Sequence, residues 1–311
     1  MAIATGAKIE YNMIYCRTIR NKYYSKKEET YMDQQEVKAL KALAVRIRLA
    51  TVEAIHSIGS GHLGGALSIG DVLAVLYGRE MNIRVDDPTW PDRDKLVVSK
   101  GHAGPGVYGT LAVKGYFPYE ELKTLNKNGT RLPSHCDRNK TPGIDVTTGS
   151  LGQGTSQACG LALGDRLKGR KNRVFLIVGD GEMDEGQCWE AFSFAAAHKL
   201  SNLVVLIDWN KKQLDGMCDD ILPMGSFTEK MEAFGFDTVQ INGNDVEAIA
   251  AALERTRQGG DKPYAIVLDT VKGAGIEEVA NTLMNHSMPV NDEKYEKWTG
   301  ELQKELAELE G

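Results

Sequence analysis

Gly179-Asp180-Gly181-Glu182 follows directly on the apolar run Val174 to Val178, and Asp208-Trp209-Asn210 closes a second such run, Leu203 to Ile207. Asp180 offers a carboxylate, Asn210 an amide oxygen, and the loop just beyond it a backbone carbonyl near Lys212. All-oxygen donors of this kind suit magnesium, which favours an incomplete protein cage completed by phosphate oxygens and water. The flanking glycines let backbone amides come close to a diphosphate. Taken alone, Gly-Asp-Gly also suits a tight turn, and Asn210 an Asx turn. A nicotinamide fingerprint is the weaker rival. After Gly179 and Gly181 its third glycine is missing: Asp184 stands in that place, and Gly186 comes two residues late.

Histidine adds a second kind of chemistry. His62 and His102 each follow a glycine and His135 follows Ser134, loop settings that can present an imidazole to a cavity. An imidazole so placed can hydrogen-bond a hydroxyl or shuttle a proton near neutral pH. His56 and His198 read as packing residues. The five cysteines, Cys16, Cys136, Cys159, Cys188 and Cys218, stand singly with no C-x-x-C pair. Neither a disulfide framework nor a zinc site is indicated, and they read as reduced, packed thiols. Cys136 is set apart only by its neighbour, His135.

These residues need a scaffold. Apolar residues recur at helical spacing from Glu36 to about His56 and end at the glycines Gly59 and Gly61. Strand-type runs follow at Leu96 to Ser99, Val174 to Val178, Leu203 to Asp208, Thr238 to Ile241 and Tyr264 to Thr270. Helical stretches near Gly154 to Leu167, Gln187 to His198, Phe227 to Phe234 and Val246 to Arg257 alternate with them, and a charged last helix spans Glu293 to Leu309. Strands apolar on both faces and separated by helices predict an α/β fold, a parallel sheet with helices on both faces. Ligands of such sheets bind at the strands' carboxyl ends, where both acidic motifs fall. No repeat or linker divides the chain, so one domain is expected over residues 32–311, preceded by a disordered leader over residues 1–31.

The spacing from Gly-Asp-Gly to Asn210 resembles the thiamine-diphosphate signature. Three further segments, in order, narrow the resemblance to the transketolase family. They are Ser60-Gly61-His62-Leu63-Gly64-Gly65, Ser99-Lys100-Gly101-His102-Ala103, and Ser134-His135-Cys136 followed by Thr148-Gly149-Ser150-Leu151-Gly152-Gln153-Gly154. The resemblance covers about residues 36 to 275 and implies the family's thiamine-diphosphate-binding fold. It implies that Asp180, Asn210 and the Lys212 carbonyl hold Mg2+, with Ca2+ or Mn2+ able to substitute. It also implies that His102, Leu151, Gly152, Gly181, Glu182 and Asn210 contact the cofactor, with Gly152 and Gly181 presenting backbone to the diphosphate. His62 and His135 would meet the donor sugar, and His102 would lie between diphosphate and substrate. His286 completes the catalytic set, although the glycine usual beside it is Ser287 here; Ser134 and Cys136 likewise replace a common Gly and Pro. Glu185 and Glu190 match carboxylates at the family's subunit interface.

The activity so implied is reversible transfer of a two-carbon ketol unit between sugars or sugar phosphates, with thiamine diphosphate as cofactor. It requires a partner resembling the C-terminal transketolase subunit, whose pyrimidine-binding domain carries the activating glutamate, and an α2β2 heterotetramer is expected. An α subunit of a 2-oxo-acid dehydrogenase and a non-catalytic cofactor-binding homologue are the alternatives. Composition agrees with an ordinary globular protein, for 42% hydrophobic residues in 311 can bury a sizeable core. A net charge of -6 gives no basic field for nucleic acid or an anionic membrane surface. The longest apolar runs are strand-sized, and the N-terminus lacks the apolar core of a secretory signal, so a cytoplasmic location is expected.

Overall fold

Runs that are apolar at every position belong in the middle of a parallel sheet, and that is where they lie. The computed structural model describes residues 32–311; the leader expected over residues 1–31 lies outside the described residues. Asp33 accepts a hydrogen bond from the Gln35 N–H and starts helix α1 (Gln34–His56). The chain continues through β1 (Ser60–His62), α2 (Gly64–Leu67), α3 (Gly70–Val75), β2 (Lys95–Val98) and α4 (Gly104–Val113). Next come α5 (Gln153–Leu167), β3 (Val174–Gly179), α6 (Gly186–Ala197), β4 (Leu203–Trp209), α7 (Cys218–Ile221) and α8 (Phe227–Ala233). The last third holds β5 (Asp237–Asn242), α9 (Val246–Arg255), β6 (Tyr264–Asp269), α10 (Glu277–Asn281), β7 (Ser287–Pro289) and α11 (Asp292–Glu310).

Five strands form one parallel sheet in the order β2-β3-β4-β6-β5, with β4 in the centre. Alternation along each strand divides the core. Val174, Leu176, Val178, Val205, Ile207 and Val267 pack with Ala158 and Ala162 of α5, Phe192 of α6 and Met231 of α8. Their alternates Phe175, Ile177, Val204, Leu206 and Ile266 are at most 2% exposed, so the opposite face is covered as well. Each such side chain contributes roughly 1.5–3 kcal/mol by leaving water. Helix α1 packs on α3, α4 and α11. The five strands and six helices read from the sequence are all present, with ends shifted by at most two residues.

A second, two-stranded antiparallel sheet is an addition to the sequence expectation. It pairs β1 with β7 in the register Ser60 to Pro289, Gly61 to Met288 and His62 to Ser287. The Leu63 and Gly64 N–H groups extend the contact by donating to the carbonyls of His286 and Asn285. Together these bonds hold the chain around His286 against the chain around His62. Among the described residues, no helix is long and apolar enough to cross a membrane.

Candidate active site

The carboxyl ends of β2, β3, β4 and β6 converge on one edge of the sheet and deliver Lys100, Asp180, Asn210 and Lys272 to it. Asp180 is buried; its Oδ1 accepts from the Gly181 N–H at 2.9 Å and its Oδ2 from the Lys211 N–H at 2.5 Å. Burial first, and the neighbouring Asp208 second, push its carboxyl up to about 6, so the site stores an anion that a cation would relieve. The Asn210 Nδ2 donates to Asp208 Oδ2 at 2.8 Å, and its Oδ1 accepts a 3.2 Å bond from the Lys212 N–H. The Lys212 carbonyl accepts from the Lys272 ammonium at 2.8 Å. An amide oxygen and a carbonyl each carry a second lone pair, so the three expected oxygens fit a hard cation. No cluster of three or more His, Cys, Asp or Glu suited to a metal exists among the described residues, so any ion here relies on this mixed oxygen set.

Two residues expected at the cofactor are engaged with the protein itself. Glu182 Oε1 accepts from Ser99 Oγ at 2.5 Å and from the Gly152 N–H at 2.8 Å, while Oε2 accepts from the Gly179 N–H at 3.1 Å. This buried carboxylate ties three loops together, and the Gly152 N–H points at it. Leu151 is half-buried beside them, and Gly181 precedes the turn that leads to α6.

The histidines form a second group. His62 lies 5.7 Å from His102, 5.6 Å from His135 and 5.2 Å from His286, and His102 lies 4.6 Å from His286, all between ring centroids. All four catalytic candidates therefore share one space, His286 included. Burial lowers the pKa of each; the second cause is His135 for His62, Lys100 for His102 and Lys272 for His286, which falls to about 4. Near neutral pH they are uncharged imidazoles able both to donate and to accept. His56 stacks on Tyr295 and bonds Asp292, as a packing role requires, whereas His198 is exposed and lies tilted against Phe194. Cys136 is buried, and burial raises its thiol to about 12, which leaves it inert beside His135.

Lys100 and Lys272 were missed by motif reading. Lys100 is 1% exposed, and its ammonium reaches Asp208 Oδ2 at 2.5 Å and the Gly65 carbonyl at 2.7 Å. Lys272, also buried, approaches His286 Nδ1 at 3.5 Å, and burial followed by repulsion from Lys100 lowers its pKa to about 8. The available signal was positional, since each lysine stands just past a buried strand's carboxyl end. Two ammonium groups, Lys100 paired with Asp208 and Lys272 with the Lys212 carbonyl, thus lie between the acidic motifs and the imidazoles.

Residues 39–304 match the family model described as transketolase, thiamine diphosphate binding domain. The chain is 46% identical over 276 residues to the 6-deoxy-6-sulfo-D-fructose transketolase subunit of Clostridium sp. (strain MSTE9), covering 89% of this chain and 100% of that one. The chain belongs to the transketolase family. It is also 39% identical over 254 residues to an apulose-4-phosphate transketolase subunit of Actinobacillus succinogenes, covering 81% of this chain and 91% of that one. The transketolase of Campylobacter jejuni superposes with a TM-score of 0.78 at 28% identity, over 90% of this chain and 48% of that one. The chain thus spans about half the length of the transketolase structures it matches, and nearly the full length of the two separate subunits. The α subunit of a 2-oxo-acid dehydrogenase is thereby set aside.

Within this transketolase frame, Glu185 and Glu190, matched to interface carboxylates, are exposed. His135→Ala is expected to leave cofactor affinity unchanged and to lower turnover roughly 10²-fold, the low end for a general acid or base because three other imidazoles share its space. Steady-state kinetics at saturating cofactor check this; a defect confined to cofactor affinity would contradict it. His286 supplies a pH prediction. Its folded pKa of about 4 lies below the ordinary 6.5, so the unfolded chain takes up the proton first as pH falls. Stability is then full above pH 6.5 and is lost on descending toward 4, by about 1 kcal/mol at pH 5 after discounting its contact with water. His286→Gln should reduce the difference between denaturation midpoints at pH 7 and pH 5.

Proposed function

We propose that this chain is the thiamine-diphosphate-binding subunit of a two-chain transketolase, moving a two-carbon ketol unit from a ketose to an aldose with Mg2+. The observation that carries the reading is the pairing of two buried ammonium groups, Lys100 and Lys272 beside Asp180 and Asn210, with four neutral imidazoles over the same edge of the sheet. Asp180, Asn210 and the Lys212 carbonyl would hold the metal, and the lysines would offset the charge of the diphosphate. When bound, thiamine diphosphate supplies the electron sink for cleavage of the bond between the donor's C2 and C3. His62 and His135 hydrogen-bond the donor's hydroxyl and carbonyl oxygens and stabilise the charge that develops there. His102, beside His62 and His286, would lie between diphosphate and sugar. His286 donates to or accepts from the sugar while burial, and then the Lys272 ammonium, keep it uncharged.

The partner is a C-terminal-type transketolase subunit that brings the pyrimidine-binding domain. Two copies of each chain around a two-fold axis form the cytoplasmic enzyme. The donor is a ketose with a terminal anion. The 46% identity to a 6-deoxy-6-sulfo-D-fructose transketolase subunit makes that sulfonate the first substrate to try and apulose 4-phosphate the second. The test mixes both subunits, Mg2+, thiamine diphosphate, each donor in turn and an aldose acceptor. An anionic carbonyl product two carbons shorter than the donor, an aldose from the sulfonated ketose and a ketone from the branched apulose 4-phosphate, together with an acceptor two carbons longer, is the expected outcome. Absence of both products, with decarboxylation of a 2-oxo acid supplied in a parallel reaction, would overturn the proposal.

A further inference from the structure

We infer that Asp208 is a positioning residue, a fully buried carboxylate that fixes which atom of Asn210 faces the metal; the inference rests on the functional reading above. Asp208 sits at the carboxyl end of the central strand β4 and is 0% exposed. Its Oδ2 accepts from Lys100 Nζ at 2.5 Å, Ser68 Oγ at 2.7 Å and Asn210 Nδ2 at 2.8 Å, and its Oδ1 accepts from Thr270 Oγ1 at 2.5 Å. Its backbone carbonyl accepts from the Asp180 N–H at 3.2 Å. One residue thus holds the segment between α2 and α3, the loop after β2, the end of β6 and both acidic motifs.

The chemistry is directional. An asparagine amide has a donor end and an acceptor end of nearly equal size, and only the oxygen can bind a cation. A carboxylate paired with an ammonium has acceptors only, so the Nδ2 end of Asn210 must turn toward Asp208 and the Oδ1 end must turn away, to the side of the Lys212 turn. With no such acceptor, the amide is free to reverse and present N–H groups to the ion. The same oxygen anchors Lys100, so the metal ligand and one of the two buried ammonium groups share a single reference point. Residues that orient a metal ligand typically change affinity 10–100-fold when altered.

The experiment uses the assembled two-subunit enzyme and follows calorimetric titration of thiamine diphosphate with and without Mg2+. Asp208→Asn, which offers one acceptor oxygen in place of two, is expected to weaken Mg2+-dependent binding 10–100-fold. Asp208→Asn combined with Asn210→Asp restores the bond between the two positions and presents a carboxylate oxygen in either orientation, so at least tenfold of the loss should return. Thiamine diphosphate binding by Asp208→Asn equal to that of the parent overturns the inference. So does a loss that the exchanged pair does not recover, because a purely structural defect gives that result. If the single variant does not assemble, the exchanged pair decides: binding within tenfold of the parent supports the inference and absent binding overturns it. A parent enzyme with no Mg2+-dependent binding overturns the functional reading itself, and this inference with it.

Discussion

Purified by itself, the chain is expected to show no ketol transfer, with activity appearing on addition of the partner subunit. In the proposed reading, the groups converging at the carboxyl edge of the sheet are metal ligands, ammonium groups and imidazoles, which are the means to hold and orient. The glutamate that activates the aminopyrimidine in this family belongs to the pyrimidine-binding domain, and the two subunit-sized relatives act as parts of larger enzymes by their own descriptions. Apolar residues adjoining the site agree. Val271 next to Lys272, and Leu283 and Met284 just before His286, are 51%, 49% and 53% exposed. Side chains of that size beside a working site are normally covered. The assay compares the chain alone, the partner alone and the mixture, with light scattering reporting the mass of each. Turnover by the isolated chain at the rate of the mixture would refute the requirement for a partner.

Asp180→Ala should be the most damaging single substitution for cofactor binding. Asp180 is the one anionic member of the proposed oxygen set, and Asn210 and the Lys212 carbonyl offer only dipoles. At about 4 Å and an effective dielectric near 20, one pair of unit charges attracts by about 4 kcal/mol. That corresponds to about 10³-fold in affinity. Mg2+-dependent binding of thiamine diphosphate, measured by titration calorimetry on the assembled enzyme, should fall by at least this factor. Binding without the metal should change far less. Because Asp180 is held raised to about 6 by burial and Asp208, replacing it also removes a strained anion, so the thermal midpoint of the metal-free protein should hold or rise. Unchanged Mg2+-dependent affinity would remove Asp180 from the metal site.

The sheet was legible because its strands are unbroken apolar runs, and both acidic motifs could be placed because each directly follows such a run. Helix α4 was not. Its sequence, Gly104-Pro105-Gly106-Val107-Tyr108-Gly109, carries three glycines and a proline, which depress helix propensity. The glycines serve packing instead. A Cβ on Gly106 would meet the Ala66 carbonyl at 2.8 Å, and one on Gly109 would meet the Ile47 carbonyl of α1 at 3.1 Å. Strands β1 and β7 escaped notice because three residues are too few to show a period. Lys100 and Lys272 escaped because a lone lysine is ordinarily a surface residue, and only the fold reveals that these two are buried. The histidines were found through their segments, yet their gathering into one cluster depends on strand pairing that no local pattern announces. Glu182 and Gly152, both expected at the cofactor, also bond each other across two loops, a contact that the motifs did not announce.

The pairing of β1 with β7 also bears on how the protein is made. It closes a contact between Ser60 and Pro289, near opposite ends of the described chain, and it brings His62 alongside His286. Such distant pairings form late, after the loop entropy of everything between them has been met. During synthesis, helix α1 and the strands through β6 can assemble while His62 still lacks one of its three ring neighbours, His286. The His286 corner of the imidazole cluster is therefore among the last features to be fixed, and a nascent chain stopped short of β7 would hold the two lysines and the other three imidazoles without it.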